Sequence, residues 1–342
     1  MAHVFVTGAS GFIGSRLVWE LIQRGHTVHA LTRRRNLEPP PGFLPEDRPD
    51  FSHPNIRLEF GDITDPQSLH SGMAGCSHVY HLAGYAKNWA RNIQPYFQNN
   101  VIGMSNVCKV ATELRVERIV WTSTMLTFGP TARGQIGDET IVRTAKCFTE
   151  YERSKAAAEG DAAAFLEDGL PLVTINPARV FGPGHLNEGN SISILIDMYD
   201  RGHLPFLLGG GCNVGNWVFV DDVVQGLILA MERGRVGEKY LLGGENASLK
   251  QFLQIVDQIS GKRHRQITVR RPGAILYAWL LKQRARWFGI YPKITPDWVR
   301  LFLVDWAYSS TKAQRDLGYT ITPLKEALQK TYDWLLRIRS KK

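Results

Sequence analysis

The sequence predicts an α/β fold, a doubly wound parallel sheet joined to a smaller, discontinuous C-terminal domain. Two observations support this prediction. Six short apolar runs in the first half of the chain alternate with segments of helical periodicity, and strands separated by helices form parallel sheets. The chain also has 342 residues. This length exceeds that of a usual domain with one hydrophobic core, so a second domain is expected.

The predicted strands are short apolar runs, at residues 4–6, 27–31, 57–60, 78–82, 118–122 and 172–176. The proline-rich segment 36–54 is interpreted as a surface loop. After Pro177 the alternation weakens, although 216–220 and 239–242 are predicted to return to the sheet. We therefore expect a nucleotide-binding domain from 1–178 plus about 213–245, and a substrate-binding domain from about 179–212 plus 246–342.

Composition restricts the class of protein. Hydrophobic residues make up 44% and charged residues 21% of the chain, as in ordinary folded domains. The four cysteines have no CxxC spacing, so we expect neither a metal site nor a disulfide framework. No signal peptide precedes the first strand, and no apolar run approaches the roughly twenty residues of a membrane span. These features favour a cytoplasmic protein.

The excess of positive charge lies toward the C-terminus. The net charge is +9, and from residue 261 onward about eighteen Lys and Arg stand against about five Asp and Glu. Aromatic residues interleave with these charges over 274–291. This segment is interpreted as a solvated helix face, as a roof over the substrate pocket, or as a weak peripheral contact with an anionic membrane. No nucleic-acid-binding motif accompanies the charge, so nucleic acid is not expected as a partner.

A glycine-rich turn follows the first predicted strand and opens a helix. The turn runs Gly8-Ala9-Ser10-Gly11-Phe12-Ile13-Gly14. Gly8 permits a tight turn, Gly11 lets backbone approach a pyrophosphate, and Gly14 allows close packing on the sheet. The helix N-terminus adds donors and positive potential. We therefore predict a Rossmann-type dinucleotide site that includes Ser10, Phe12 and Ile13.

The second predicted strand ends in arginines. Arg33, Arg34 and Arg35 stand where a carboxylate would bind the ribose 2′-hydroxyl of NAD. A guanidinium matches a 2′-phosphate, so NADP(H) is the preferred cofactor and NAD(H) the alternative. Residues at the ends of the third and fourth strands are expected to contact the cofactor as well, namely Asp62, Ile63, Leu82, Ala83 and Gly84. A helix N-cap or a turn is the alternative role for Asp62.

Tyr151 and Lys155 lie four residues apart in a predicted helix, so they share one face. We expect the ammonium to lower the pKa of the phenol, which would then exchange a proton with a carbonyl or alcohol oxygen. The polar segment Thr122-Ser123-Thr124, at the end of the fifth strand, would supply a hydroxyl to the same oxygen. The spacing recurs at Tyr308, which has no such partner and is interpreted as structural.

Together these motifs resemble the extended short-chain dehydrogenases/reductases of the NAD-dependent epimerase/dehydratase superfamily. The segments Asn-Pro-Ala-Arg-Val-Phe-Gly-Pro-Gly at 176–184 and Val-Asp-Asp-Val at 220–223 extend the resemblance over nearly the whole chain. It implies that Tyr151 is the acid/base, that Lys155 also holds the nicotinamide ribose, and that Thr124 is the catalytic hydroxyl, with Ser123 the adjacent alternative. It also implies a homodimer paired through helices near 101–114 and 151–166.

The resemblance reaches two further residues. Asn100 is similar to a helix asparagine near the catalytic lysine of such enzymes, and a buried structural amide is the alternative. Pro177 is expected to lie beside the nicotinamide.

Departures from the sugar-nucleotide branches point to another substrate. The epimerases usually carry an arginine before the Val-Asp-Asp segment and another before the proline, where this chain has Gly215 and Asn176, although Arg179 could compensate. Met125 and Leu126 replace the Asp-Glu pair of the dehydratases. The sequence is closer to the dihydroflavonol-reductase-like, 3β-hydroxysteroid-dehydrogenase-like and hopanoid-associated sugar epimerase-like proteins.

We therefore expect an NADP(H)-dependent oxidoreductase acting on CH–OH groups, which interconverts a ketone or aldehyde with an alcohol on a fairly apolar small molecule. The expected substrate contacts are Tyr85, Lys87, Trp89, Arg91 and Arg179; the alternative for the first four is a surface loop anchored by Trp89. An NAD(P)-dependent sugar or sugar-nucleotide epimerase is the alternative function. A nonenzymatic, cofactor-sensing binding protein is a lesser one.

Overall fold

The computed structural model describes residues 2–34 and 50–340. Its largest element is a seven-stranded parallel sheet of order β3-β2-β1-β4-β5-β6-β10. Its strands are β1 (His3–Thr7), β2 (Thr27–Thr32), β3 (Ile56–Phe60), β4 (His78–His81), β5 (Arg118–Thr122), β6 (Leu172–Pro177) and β10 (Lys239–Leu242). All six strands predicted in the first half are confirmed. Arg35 and most of the segment 36–54 lie outside the described residues.

Helices cover both faces of this sheet. One face packs against α1, α7 and α11 and the other against α2, α4 and α5. The helices of the described residues are α1 (Phe12–Gln23), α2 (Pro66–Met73), α3 (Gln94–Phe97), α4 (Gly103–Glu113), α5 (Glu150–Glu167), α6 (Ser191–Asp200), α7 (Val220–Arg233), α8 (Leu249–Ser260), α9 (Arg271–Phe288), α10 (Pro296–Phe302), α11 (Thr311–Leu317) and α12 (Leu324–Ser340). Side chains alternate along β1, so Val4 and Val6 pack under α1 and α7 while Phe5 packs under α2. Burial of both faces explains the nearly continuous apolar character of the strands.

The strand order reverses between β1 and β4. The chain places β2 and β3 on one side of β1 and then crosses to β4, β5 and β6 on the other. In an open parallel sheet, this reversal leaves a crevice beyond the carboxyl ends of the two central strands, where ligands bind.

Two smaller sheets lie beyond the large one. The first contains β7 (Arg179–Phe181), β9 (Val214–Phe219) and β11 (Glu245–Ser248), and the second pairs β8 (Phe206–Leu208) with β12 (Ile267–Val269). The prediction that 216–220 returns to the large sheet was wrong. Strand β10 occupies the edge next to β6, so β9 pairs with β7 and β11 instead.

The smaller sheets share a core with α6, α8 and α12. Its centre is aromatic: the ring centroids of Phe252 and Trp217 are 4.4 Å apart and those of Phe252 and Phe181 are 5.7 Å apart. Of the helices in the described ranges, none is both long enough and apolar enough to cross a membrane.

Candidate active site

The glycine turn between β1 and α1 has the geometry of a phosphate cradle. Gly8 has a φ of +71°, and a Cβ built on it would lie 2.7 Å from the backbone nitrogen of Ala83. A Cβ on Gly14 would collide with the Gly8 carbonyl oxygen. Gly11 is the N-cap of α1, and no side chain caps this helix end. The first amides of the helix are therefore available to an anion, and these residues fit the pyrophosphate of a dinucleotide.

A cleft of about 460 Å³ joins residues that were predicted separately for cofactor and substrate. Its lining includes Arg33, Asp62, Gly84, Tyr85 and Lys87. Arg33 has a 73% exposed side chain whose Nη1 lies 3.6 Å from Asp62 Oδ2. The other oxygen of Asp62 accepts a hydrogen bond from the backbone of the turn that follows. Both roles considered for Asp62, a turn residue and a residue of the cofactor cleft, are therefore compatible with its position.

The remaining cofactor candidates lie along the same edge of the sheet. Ser10, Phe12 and Ile13 stand at the start of α1, Ile63 follows β3, Leu82 and Ala83 follow β4, and Pro177 ends β6. Arg34 is exposed next to Arg33. The carboxyl ends of parallel strands meet at one edge, which is why these distant segments come together.

The loop after β4 is held by the smaller domain. The backbone N–H of Asn88 donates to the Glu188 carboxylate at 2.6 Å, and its carbonyl accepts from the Trp298 indole at 2.9 Å. The Trp89 N–H donates to Tyr291 Oη at 3.2 Å, and the two rings meet edge to face at 5.8 Å. The loop that carries Tyr85, Lys87 and Arg91 is thereby fixed across the mouth of the crevice.

A capping box fixes the start of α5. The Thr149 hydroxyl accepts from the Glu152 N–H, and the buried Glu152 carboxylate accepts from the backbone N–H groups of Thr149 at 2.8 Å and Phe148 at 2.9 Å. Its other oxygen accepts from Arg143 Nη2 at 3.0 Å. These bonds order the first turn of the helix, which contains Tyr151.

Tyr151, Lys155 and Thr124 meet beyond the end of β5. The Thr124 side chain lies close enough to the Tyr151 phenol to lower its pKa. One turn along α5, Lys155 Nζ donates to the Thr122 carbonyl at 2.9 Å and lies 5.3 Å from the Trp121 ring centroid. The structure therefore brings together three side chains that lie far apart in the sequence.

Burial dominates the electrostatics of this group. It raises the pKa of Tyr151 to about 12, against a smaller lowering by the Thr124 side chain. It lowers the pKa of Lys155 to about 8, although the charge of Glu159 opposes that shift. The expectation that Lys155 lowers the pKa of the phenol was wrong, because desolvation of a buried phenol outweighs the other effects. Near neutral pH Tyr151 is an un-ionised proton donor.

A buried network lies beneath Thr124, and its centre, Glu159, was not predicted. One oxygen of Glu159 accepts from Ser123 Oγ at 2.5 Å and from Asn176 Nδ2 at 2.8 Å. The same Asn176 amide donates to the Thr124 carbonyl at 3.0 Å. Ser123 thus donates its hydroxyl to Glu159, whereas the Thr124 side chain is the one that lies beside Tyr151. Glu159 follows Lys155 by four residues, a spacing that places both on one helix face and could have identified it.

Asn100 connects the loop after β4 to α5. It lies in a short π-helical segment, Gln98–Ile102, a distortion that often marks functional sites. Its Oδ1 accepts from the Tyr85 N–H at 2.7 Å and its Nδ2 donates to Ser154 Oγ at 2.8 Å. A Cβ on Gly84 would lie 2.9 Å from Asn100 Oδ1 and 3.5 Å from Lys155 Nζ. Asn100 is thus a buried amide and also a neighbour of the lysine.

Two other predicted residues lie apart from this group. Tyr308 is buried and donates its hydroxyl to the Gly129 carbonyl, so the second Tyr-x-x-x-Lys pair takes part in packing. Arg179 begins β7, and its guanidinium lies against the rings of Trp217 and Phe302.

The chain is similar over almost its full length to dehydrogenases and reductases. It is 29% identical over 337 residues to a Synechocystis sp. protein named "Putative dihydroflavonol 4-reductase", covering 96% of this chain and 93% of the relative. It is 28% identical over 338 residues to a 3 beta-hydroxysteroid dehydrogenase/Delta 5-->4-isomerase of Mycobacterium tuberculosis, covering 93% and 86%. The names of these two relatives describe a reductase and a dehydrogenase.

Solved structures support the fold. The crystal structure of gox2253 matches with a TM-score of 0.81 at 29% identity, covering 98% of both chains. UDP-glucuronic acid 4-epimerase from Bacillus cereus, in complex with NAD, matches with a TM-score of 0.75 at 21% identity, covering 98% of this chain and 99% of the other; this likeness concerns the fold alone. The model of the NAD dependent epimerase/dehydratase family matches residues 4–243. The chain therefore belongs to the NAD-dependent epimerase/dehydratase family.

Proposed function

We propose that this enzyme is an NADP(H)-dependent oxidoreductase that interconverts a ketone or aldehyde with an alcohol on a fairly apolar small molecule. The observation that carries the proposal is the environment of Tyr151. Its phenol lies beside the Thr124 side chain and has a pKa of about 12, while its ring packs against an apolar cluster that includes Ala178 and Trp298. A proton donor in apolar surroundings suits reduction of an apolar carbonyl compound.

The protein residues have separable roles in this proposal. Thr124 and Tyr151 both donate hydrogen bonds to the substrate oxygen, and Tyr151 gives up its proton as that oxygen becomes an alkoxide. Lys155 uses one N–H on the Thr122 carbonyl and offers its remaining donors and its charge to the cofactor ribose. When bound, the nicotinamide supplies or accepts the hydride.

Replacement of Tyr151 by Phe tests the acid/base role. We expect kcat/KM for ketone reduction to fall by about 10²- to 10⁴-fold, while the Kd for NADPH changes little. The chain offers a matched control in Tyr308→Phe, which removes the hydroxyl of the second Tyr-x-x-x-Lys pair. That variant should retain turnover, because its hydroxyl bonds to the Gly129 carbonyl. Equal turnover by Tyr151→Phe and wild type would overturn the proposal.

The preference for NADP(H) rests on two exposed guanidinium groups at the end of β2. Arg33 lines the cofactor cleft and Arg34 is exposed next to it, and charged hydrogen bonds to a phosphate are stronger than neutral ones. The double variant Arg33→Ser/Arg34→Ser should lower the NADPH:NADH ratio of kcat/KM roughly tenfold or more. Equal kcat/KM values of the wild-type enzyme with NADH and with NADPH would contradict this preference.

A second candidate, an NAD(P)-dependent epimerase of a sugar or sugar nucleotide, is favoured by one observation. The guanidinium of Arg179 lies beside Gly215, where such epimerases carry an arginine. The two functions differ in cofactor consumption. NADPH oxidation with a panel of aromatic, flavonoid-like and steroid ketones would support the oxidoreductase. Conversion of UDP-glucose without net consumption of cofactor would support the epimerase.

A further inference from the structure

A cation without an anionic partner lies between the large sheet and the smaller domain. The guanidinium carbon of Arg179 is 5.1 Å from the Trp217 ring centroid and 4.8 Å from that of Phe302. Among residues 2–34 and 50–340, no protein group forms a hydrogen bond or an ion pair with it. Burial lowers the pKa of this guanidinium to about 10, as expected for a charge that no anion compensates.

Gly215 makes the space that this guanidinium occupies. A Cβ at position 215 would lie 2.6 Å from Arg179 Nη1 and 3.2 Å from Arg179 Cζ. Arg179 stands opposite Trp217 in the pairing of β7 with β9, and Gly215 lies two residues before Trp217, on the same face of β9. The strand pair therefore holds the guanidinium in one place, close to both aromatic rings.

The guanidinium borders the apolar wall of the candidate active site. Ala178, the residue before it, packs in one cluster with Tyr151 and Trp298. The ring of Trp298 lies 6.2 Å from that of Phe302, one of the two rings that flank Arg179. A short apolar stretch thus separates the proton donor from the cation.

We propose that Arg179 binds an oxyanion of the substrate, a carboxylate or a phosphate, attached at some distance from the reacting carbonyl carbon. This proposal rests on the proposed function. A desolvated charge destabilises the fold unless an opposite charge compensates it. The planar guanidinium offers five N–H donors that match two oxygens of one anion, and no described group of the protein accepts from any of them. The substrate would therefore be an apolar ketone or alcohol with one anionic group.

A matched pair of substrates tests the site. The probes are a 3-oxo-steroid carboxylic acid and its methyl ester, each followed by NADPH oxidation. We expect wild type to favour the acid, and Arg179→Met to lower the acid:ester ratio of kcat/KM at least roughly tenfold, mainly through KM. Arg179→Lys keeps the charge but loses the planar array of N–H donors, so its acid:ester ratio of kcat/KM should lie between those of wild type and Arg179→Met. An unchanged ratio in Arg179→Met would overturn the proposal.

Thermal melting separates this role from simple packing. Without ligand, Arg179→Met should melt at or above the wild-type temperature, because it removes an uncompensated cation, and the acid should raise the Tm of wild type only. A variant that melts several degrees lower and responds to the acid as wild type does would show that Arg179 only packs. If UDP-glucose raises Tm through Arg179 and no ketone is reduced, the oxyanion site stands and the oxidoreductase proposal fails.

A separate observation concerns the outer surface of α9. The buried residues of this helix are three alanines, Ala274, Ala278 and Ala285. Large apolar side chains point to solvent instead, namely Leu276, Tyr277, Trp279, Leu280, Trp287 and Phe288. Because successive helical residues turn by about 100°, Leu276, Trp279, Leu280 and Trp287 lie on the half of the helix opposite the alanines, and Tyr277 and Phe288 lie along one of its margins. We call these six side chains the α9 apolar face; Trp287 and Phe288 are 76% and 71% exposed.

Positive charge surrounds the α9 apolar face. Residues 261–300 contain ten Lys and Arg and one acidic residue, Asp297. Asp297 pairs with Lys282 at 2.9 Å and Arg300 at 3.0 Å. Arg284 and Arg286, beside the apolar side chains, have no carboxylate partner within the described residues. A second copy of the chain would bring two equally basic faces together, which repel.

We infer that the α9 apolar face docks on the surface of a membrane that contains anionic lipids. Its aromatic and aliphatic side chains would enter the headgroup boundary, and the arginines at its margins would meet lipid phosphates. Exposed apolar surface of this extent on a folded protein usually marks an interaction site. Docking there would place the enzyme at a source of apolar substrate.

Co-sedimentation with phosphatidylcholine vesicles, with and without phosphatidylglycerol, tests this inference. Wild type should bind the anionic vesicles and be released by salt. The double variant Trp287→Ser/Phe288→Ser should bind the anionic vesicles at least roughly fivefold more weakly. The control is Val142→Ser, which replaces an 83% exposed apolar residue elsewhere and should bind as wild type does. Absence of wild-type binding, or a double variant that changes only the oligomeric state, would overturn the inference.

Discussion

We expect the charged side chain of Lys155 to lower the free energy of unfolding. Its side chain is buried, and the pKa falls from 10.5 to about 8. Since a tenfold change in a protonation equilibrium corresponds to about 1.4 kcal/mol, keeping the ammonium charged in the folded protein costs about 3 kcal/mol at neutral pH. Lys155→Met removes this cost and the hydrogen bond to the Thr122 carbonyl, which contributes about 1 kcal/mol. The variant should be more stable than wild type by about 1–2 kcal/mol and should lose turnover.

The pH dependence gives this prediction a second check. Between pH 8 and 10.5 the folded wild type has released the Lys155 proton while the unfolded chain still binds it, so wild-type stability rises with pH in this window. The methionine variant lacks that rise, and its advantage should shrink from pH 7 to pH 10. Urea unfolding of the cofactor-free proteins, followed by tryptophan fluorescence, measures both effects.

Lys312→Met is the matched control. Lys312 donates to the Glu238 carboxylate at 2.6 Å and to the Lys239 carbonyl at 2.7 Å, so its replacement should bring no gain in stability. The reasoning about Lys155 is refuted if Lys155→Met is less stable than wild type at pH 7, or if the difference between the two proteins stays constant up to pH 10.

Three other substitutions test the supporting structure. Glu152→Ala removes the carboxylate partner of Arg143 and the acceptor of two backbone N–H groups. It should lower the free energy of unfolding by about 3–5 kcal/mol; a loss below about 1 kcal/mol in urea unfolding would contradict this. Gly14→Ala places a methyl group against the Gly8 carbonyl, so fluorescence titration should show NADPH binding weakened roughly tenfold or more. An unchanged Kd would show that the glycine turn does not bind the pyrophosphate. Thr124→Ala should lower kcat/KM by about 10²- to 10³-fold at constant NADPH affinity. Turnover equal to that of wild type would show that Thr124 does not bind the substrate oxygen.

Local patterns were enough to predict the fold class and part of the candidate site. The alternation of apolar runs with helical segments predicted six strands of the large sheet, because a strand or a helix leaves its period in a few adjacent residues. The glycine turn and the pair Tyr151 and Lys155 are similarly compact signals. Thr124 required only the added expectation that parallel strands end at the same edge.

Other features depend on contacts between residues that are distant in the chain. Glu159 binds Asn176 and also Lys239, eighty residues away, and no local pattern pairs these groups. The edge taken by β10 decided that β9 joins another sheet. The Arg179 guanidinium lies in the space left by Gly215. The sequence does not predict this contact, because it depends on the pairing of β7 with β9.

The electrostatic state of the site was also decided by the tertiary structure. The spacing of Tyr151 and Lys155 placed them on one helix face, and from that spacing alone we expected a lowered pKa for the phenol. Packing in the folded chain buries both groups, and desolvation raises the pKa of one and lowers that of the other. Sequence determines which groups can meet through a short stretch of backbone, whereas the removal of water from around them depends on every segment that folds over the site.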